Sequence, residues 1–123
     1  MSDPNHSPVG WYVASYLLRF VELNDDGNDD LENQFTVWEN TILVQAENIN
    51  EAYDKVEEEA KLATDPYKGG SEGVPVQWLY EGISELLPVY DKIEDGVEIM
   101  FGEYRRKLKN IRKKALSKVD VVR

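Results

Sequence analysis

Cysteine is absent from this 123-residue chain, and histidine occurs once, as His6. The first absence removes disulfide frameworks, thiolate metal sites and cysteine nucleophiles. The second removes histidine-dependent triads and metal sites built on convergent imidazoles. Long apolar runs are missing too. The longest uncharged stretch near the start, PVGWYVASYLL, falls well short of the roughly 20 apolar residues that a membrane-spanning helix needs. The opening MSDPNHSPVG holds no basic region followed by an apolar one, so no signal peptide is read there. Residues 1–10 read instead as a disordered lead-in. These absences set the expectation of a soluble, cytoplasmic protein without metal or cofactor.

What the chain has is acid, unevenly placed. Residues 103–123 carry nine Lys/Arg against two acids, a balance of +7, and residues 1–102 carry five against 22, a balance of −17. Together they make the net −10. An acidic body stays soluble and repels nucleic acid. The basic tail is the exception.

Periodicity divides the rest. WYVASYLLRFVEL, residues 11–23, is rich in aromatic and β-branched residues and apolar on both alternating faces, which predicts a central strand. NDDGNDD is a turn by composition, and QFTVWENTILVQAE, residues 34–47, alternates as a second strand. The short acidic loop between them predicts an antiparallel hairpin. Asn48, with Glu51 three residues later, has the pattern of a helix cap. Ile49, Ala52, Val56 and Ala60 follow at helical spacing to about Ala63. DPYKGGSEGVP is read as a flexible loop, and a third strand runs from Val76 with a bulge or bend at Gly82. VEIMF, residues 97–101, is read as a short fourth strand. The order β-β-α-β-β-α predicts an α+β fold, with an antiparallel sheet of about four strands and one packed amphipathic helix. The division is a lead-in at 1–10, the domain at 11–102, and a basic amphipathic C-terminal helix at 103–123.

WYVASYLLRF, WENTILVQAENINEAYDKVEEEA and WLYEGISELLPVYDKIEDGVEI together resemble an uncharacterised bacterial family, the domain of unknown function with serial number four-two-eight-eight. The resemblance covers residues 11–101. It implies a small α+β fold and carries no activity. The basic tail lies outside it.

Candidate chemistry is sparse. The acidic turn misses the calcium-loop pattern: counting from Gly27 puts Glu22 at the first ligand position and Asn33 at the last. GGSEG lacks the Gly-Lys-Ser/Thr ending of a phosphate-binding loop. Glu39, Glu81 and Glu98 each sit beside a large apolar residue, where a carboxyl with raised pKa could act as acid or base. Alternation on a solvent-facing sheet explains the same three glutamates. No catalytic residue is read from the sequence.

Surfaces are the better lead. Trp11, Trp38, Trp78 and Tyr80 are either core or, on a sheet face that no helix covers, a partner surface. In the tail, Tyr104, Leu108 and Ile111 are spaced for one helical stripe, with Arg105, Arg106, Arg112 and Lys113 on the other face. Three readings of the tail stand. It packs on the acids of its own body or of a second copy, it binds nucleic acid phosphates, or it meets an acidic membrane surface or stays solvated. The expectation is a non-enzymatic, acidic protein-binding module, self-associating as a homodimer or acting as an inhibitor or immunity-type factor. The alternative is a nucleic-acid-associated accessory protein using the basic helix.

Overall fold

Trp11–Glu22 forms β1, Val37–Gln45 forms β2, and both β2 and a third partner lie antiparallel to β1. That third partner is a long strand, Val74–Pro88. The computed structural model describes residues 3–122. In chain order the elements are β1, β2, α1 (Ile49–Lys61), β3 (Tyr67–Gly69), β4 (Val74–Pro88), α2 (Leu108–Lys114) and α3 (Lys118–Val121). The four strands form one antiparallel sheet in the order β2-β1-β4-β3. The fold is α+β, and β1 is central, as its doubly apolar pattern predicts.

α1 forms where its cap predicts. The Asn48 side chain accepts a hydrogen bond from the Glu51 backbone N–H at 2.8 Å, and Ala52, Val56 and Ala60 are buried on the inward face. That stripe closes over Tyr12 and Ala14 of β1 and Val44 of β2, with Ala46 just beyond, to make the core. Burial of such apolar side chains is the main stabilising contribution. The opposite sheet face is different. It pairs polar groups: Ser15 Oγ with Thr41 Oγ1 at 2.7 Å, Ser84 Oγ with Glu39 at 2.6 Å, and Arg19 with Glu81 at 2.8 Å.

The β-β-α-β-β-α order is met by different residues from those predicted. Tyr67–Gly69, read as loop, is β3, which turns through Gly70 and Gly73, both at positive φ, into β4. Glycine adopts that conformation without Cβ strain. β4 shifts register against β1 near Gly82 and again near Ser84, then continues to Pro88. The bend predicted at Gly82 is there. Val97–Phe101 is not a strand. It follows a turn closed by Val97 N–H to the Glu94 carbonyl and joins no ladder; its residues 98–101 instead line a cavity with Leu87, Pro88 and Tyr90.

Two terminal expectations also change. Residues 1–2 of the lead-in, read as disordered, lie outside the described residues. Residues 3–10 form turns, and Ser7 is buried at 2% exposure. The Ser7 hydroxyl donates to the Val89 carbonyl and accepts from Trp11 N–H, and Tyr90 donates to the Pro4 carbonyl. These bonds tie the lead-in to the end of β4. The tail is two short helices rather than one. Ala115 is extended, and Ser117 starts α3 with a capping box to Asp120. Helices this short are marginal without packing, and none of their residues is buried. Arg123 lies outside the described residues.

Candidate partner surface

Alternation along β1 places Leu18 and Phe20 on the α1 side of the sheet, and register brings Trp38, Tyr80 and Trp78 beside them. Glu57 and Lys61, in the last turns of α1, reach Tyr80: the phenol donates to Glu57 at 3.5 Å and the Lys61 ammonium sits 5.4 Å from the ring centre. Beyond that point the sheet runs on without helix cover. There Trp38 and Trp78 stack with centroids 4.5 Å apart at 35°, and Phe20 meets Trp78 at 5.1 Å and 58°. Trp38 remains 54% exposed. Offset, tilted aromatic pairs of this kind are favourable in themselves and present a rigid apolar face.

Burial raises the Tyr80 pKa above its ordinary value of 10.0, and the nearby Glu57 carboxylate pushes in the same direction. Both effects disfavour a phenolate. The hydroxyl therefore stays a donor to Glu57 at neutral pH.

The predicted partner residues do not share one surface. Trp38, Trp78 and Tyr80 come together on the helix-bearing face rather than on a bare second face. Trp11 lies on the other face at the far end of β1, opposite Gln45. Tyr104, Leu108 and Ile111 are exposed, at 51%, 57% and 48%. Arg106 and Lys114 sit over the Tyr104 ring at 5.3 and 4.5 Å, so the tail's cations meet its own aromatic residue. Arg105, Arg112 and Lys113 are exposed. In α3 the Ser117 hydroxyl, and then its backbone N–H, hold the Asp120 carboxyl below its ordinary range.

The three strand glutamates are separately placed. Glu39 accepts from Ser84, Glu81 pairs with Arg19, and Glu98 lines a small cavity with Leu87, Tyr90 and Phe101. Carboxylates of the acidic turn are used locally: Asp25 accepts from Gly27 N–H and Asp30 from Glu32 N–H. Arg19 donates to the Asn28 carbonyl at 2.7 Å and lies 4.6 Å from the Phe35 ring centre, so it anchors this loop.

One surface escaped the sequence reading. A groove of about 440 Å³ runs between β2 and α1, lined by Ile42 and Val44 on the strand and by Lys55, Glu58 and Glu59 on the helix. Its signal was split between two elements, with residues 11 to 17 positions apart, and only packing joins them. No helix among the described residues is long and apolar enough to cross a membrane.

The family model for the domain of unknown function DUF4288 matches residues 11–101, from the first residue of β1 to just before the basic tail. No curated protein and no solved structure matches the chain.

Proposed function

We propose that this chain, which belongs to the DUF4288 family, is a non-enzymatic protein-binding module whose first partner is a second copy of itself. The observation that carries this is the state of the tail. Its apolar residues Tyr104, Leu108, Ile111, Leu116 and Val119 are all exposed. Its described cations pair with no acid: the ion pairs among the described residues are Arg19–Glu81, Lys55–Glu51 and Lys61–Glu57. An amphipathic segment of charge +7 beside a body of −17 has its complementary surface on every other copy of the chain. The Trp38–Trp78 patch supplies an aromatic anchor of the kind that concentrates binding energy. A cytoplasmic location fits a chain without cysteine. An inhibitor or immunity-type role would use the same acidic body against a basic partner.

Light scattering on the full chain across a concentration series tests the reading. A dimer is expected that dissociates on dilution and is lost when Arg105, Arg106, Arg112 and Lys113 are changed to Glu. A monomer at every concentration would overturn it. These cations, paired with no acid among the described residues, favour one second reading, association with nucleic acid phosphates. Its mark is RNA or DNA binding that weakens steeply with salt and disappears in the same variant.

A further inference from the structure

The β1–β2 register decides which backbone groups of β2 face outward. Ala46 N–H bonds to the Gly10 carbonyl and Phe20 N–H to the Thr36 carbonyl. In an antiparallel ladder the direction alternates, so the even-numbered residues of β2 turn their N–H and C=O to β1. Val37, Glu39, Thr41, Leu43 and Gln45 turn theirs to the outside. The Gln45 carbonyl is taken by the Lys55 ammonium at 2.6 Å. Among the described residues, no hydrogen bond engages the outward groups of Val37, Glu39, Thr41 and Leu43.

This edge lacks the usual protection. Native sheets blunt their edges with bulges, prolines and short strands. β3, at the opposite edge, is three residues long, and β4 beside it carries two register shifts against β1 and ends in Pro88. β2 pairs with β1 over nine consecutive residues without a shift and contains neither proline nor glycine.

We infer that the outer edge of β2 accepts residues 97–107 of a second copy as an added strand. This rests on the self-association proposed above and names the surface it uses. Val97, Ile99 and Phe101 alternate with Glu98 and Met100, a strand pattern with no ladder partner. Added to β2, these three can lie on the face that carries Ile42 and Val44, over the groove against α1. Charge selects the occupant. Among the described residues Glu58 and Glu59, which line the groove with Lys55, form no ion pair, while Arg105, Arg106 and Lys107 come four to six positions after the alternating run ends at Phe101. Opposed charge fixes register and partner choice at such contacts. A second copy supplies the arm, released from its place in the donor: within one chain Ile99–Phe101 lines a cavity with Leu87, Pro88 and Tyr90. That is the β4 side of the sheet, with β1 between it and β2. Reciprocal exchange closes a two-fold dimer by strand addition.

Residue-resolved amide hydrogen exchange on the full chain, in dilute and in concentrated solution, tests this. The amides of Val37, Glu39, Thr41 and Leu43 are expected to slow as dimer forms, while those of Trp38, Asn40, Ile42 and Val44 hold their rates. The full chain carrying Arg105→Glu, Arg106→Glu and Lys107→Glu is expected to lose both the dimer and the protection. A dimer whose four outward amides stay fast overturns the inference but leaves self-association standing. Protection that survives the charge reversal assigns the edge to another strand and overturns it. Protection already present in dilute monomer assigns the arm to its own chain and overturns the second copy. A monomer at all concentrations overturns inference and proposed function together.

Discussion

The hydroxyl of Ser7 donates to the backbone carbonyl of Val89, joining residues 82 positions apart. Val9 and Trp11 N–H groups point at the same oxygen, at 3.3 and 3.1 Å, and the Tyr12 hydroxyl accepts from the Ser7 backbone N–H at 3.0 Å. Ser7→Ala removes the partner of the buried Val89 carbonyl and of the part-buried Val9 and Trp11 N–H groups, while the Ser7 N–H keeps the Tyr12 hydroxyl. A loss of about 1–3 kcal/mol follows from the cost of unsatisfied buried groups. Urea unfolding should show a lower midpoint, and Ser84→Ala, on an exposed serine, should shift it far less.

Val56 is fully buried on the inward face of α1. Val56→Ala removes two buried methyl groups and leaves a cavity beneath the helix. The expected cost is about 2 kcal/mol. The denaturant midpoint should fall with the slope unchanged, since the surface exposed on unfolding stays the same.

Tyr80 carries a pH dependence. Its pKa is raised in the folded chain, by burial first and by Glu57 next. The protonated phenol is the form that the fold favours, so its contribution is complete below the unfolded value of 10.0. That contribution is lost as pH rises above that value through the folded pKa. Spectrophotometric titration should show a late phenolate step that Tyr80→Phe removes and Glu57→Gln moves to lower pH.

Trp38 tests the aromatic patch. Its ring is 54% exposed and stacked on Trp78. Trp38→Ala should cost the folded monomer about 0.5–1.5 kcal/mol from the lost aromatic pair. If the patch anchors a partner, dimer affinity should fall by about 2 kcal/mol or more. Light scattering reads the second effect and chemical denaturation the first.

Salt should separate charge from apolar contact in the dimer. Exposed charges are screened over about 10 Å at 0.1 M ionic strength. Raising salt from low to moderate concentration should weaken the dimer of the unaltered chain. The variant with Arg105, Arg106, Arg112 and Lys113 changed to Glu should show no dimer to weaken.

Much of the fold was legible because it rests on local rules. Asn48 and Glu51 announced the start of α1, and the doubly apolar run from Trp11 announced a central strand. Gly82 marked the irregularity in β4. What could not be read was which extended segments find a partner. Val97–Phe101 has a strand's alternation but no ladder, whereas Tyr67–Gly69 has a loop's composition and pairs with Val74–Val76. Pairing depends on what lies alongside, and that is a tertiary property.

The site divides in the same way. The sequence by itself determined the charge split, the absence of cysteine and clustered histidine chemistry, and the amphipathic pattern of the tail, since each is a matter of residue type and spacing. Only the tertiary structure decided that Trp38 and Trp78 meet while Trp11 faces away, that Ser7 is a buried clamp, and that β2 is an open edge flanked by Glu58 and Glu59. Those facts follow from strand order and register, which are set by long-range packing of the sheet against α1 and by no single stretch of the chain.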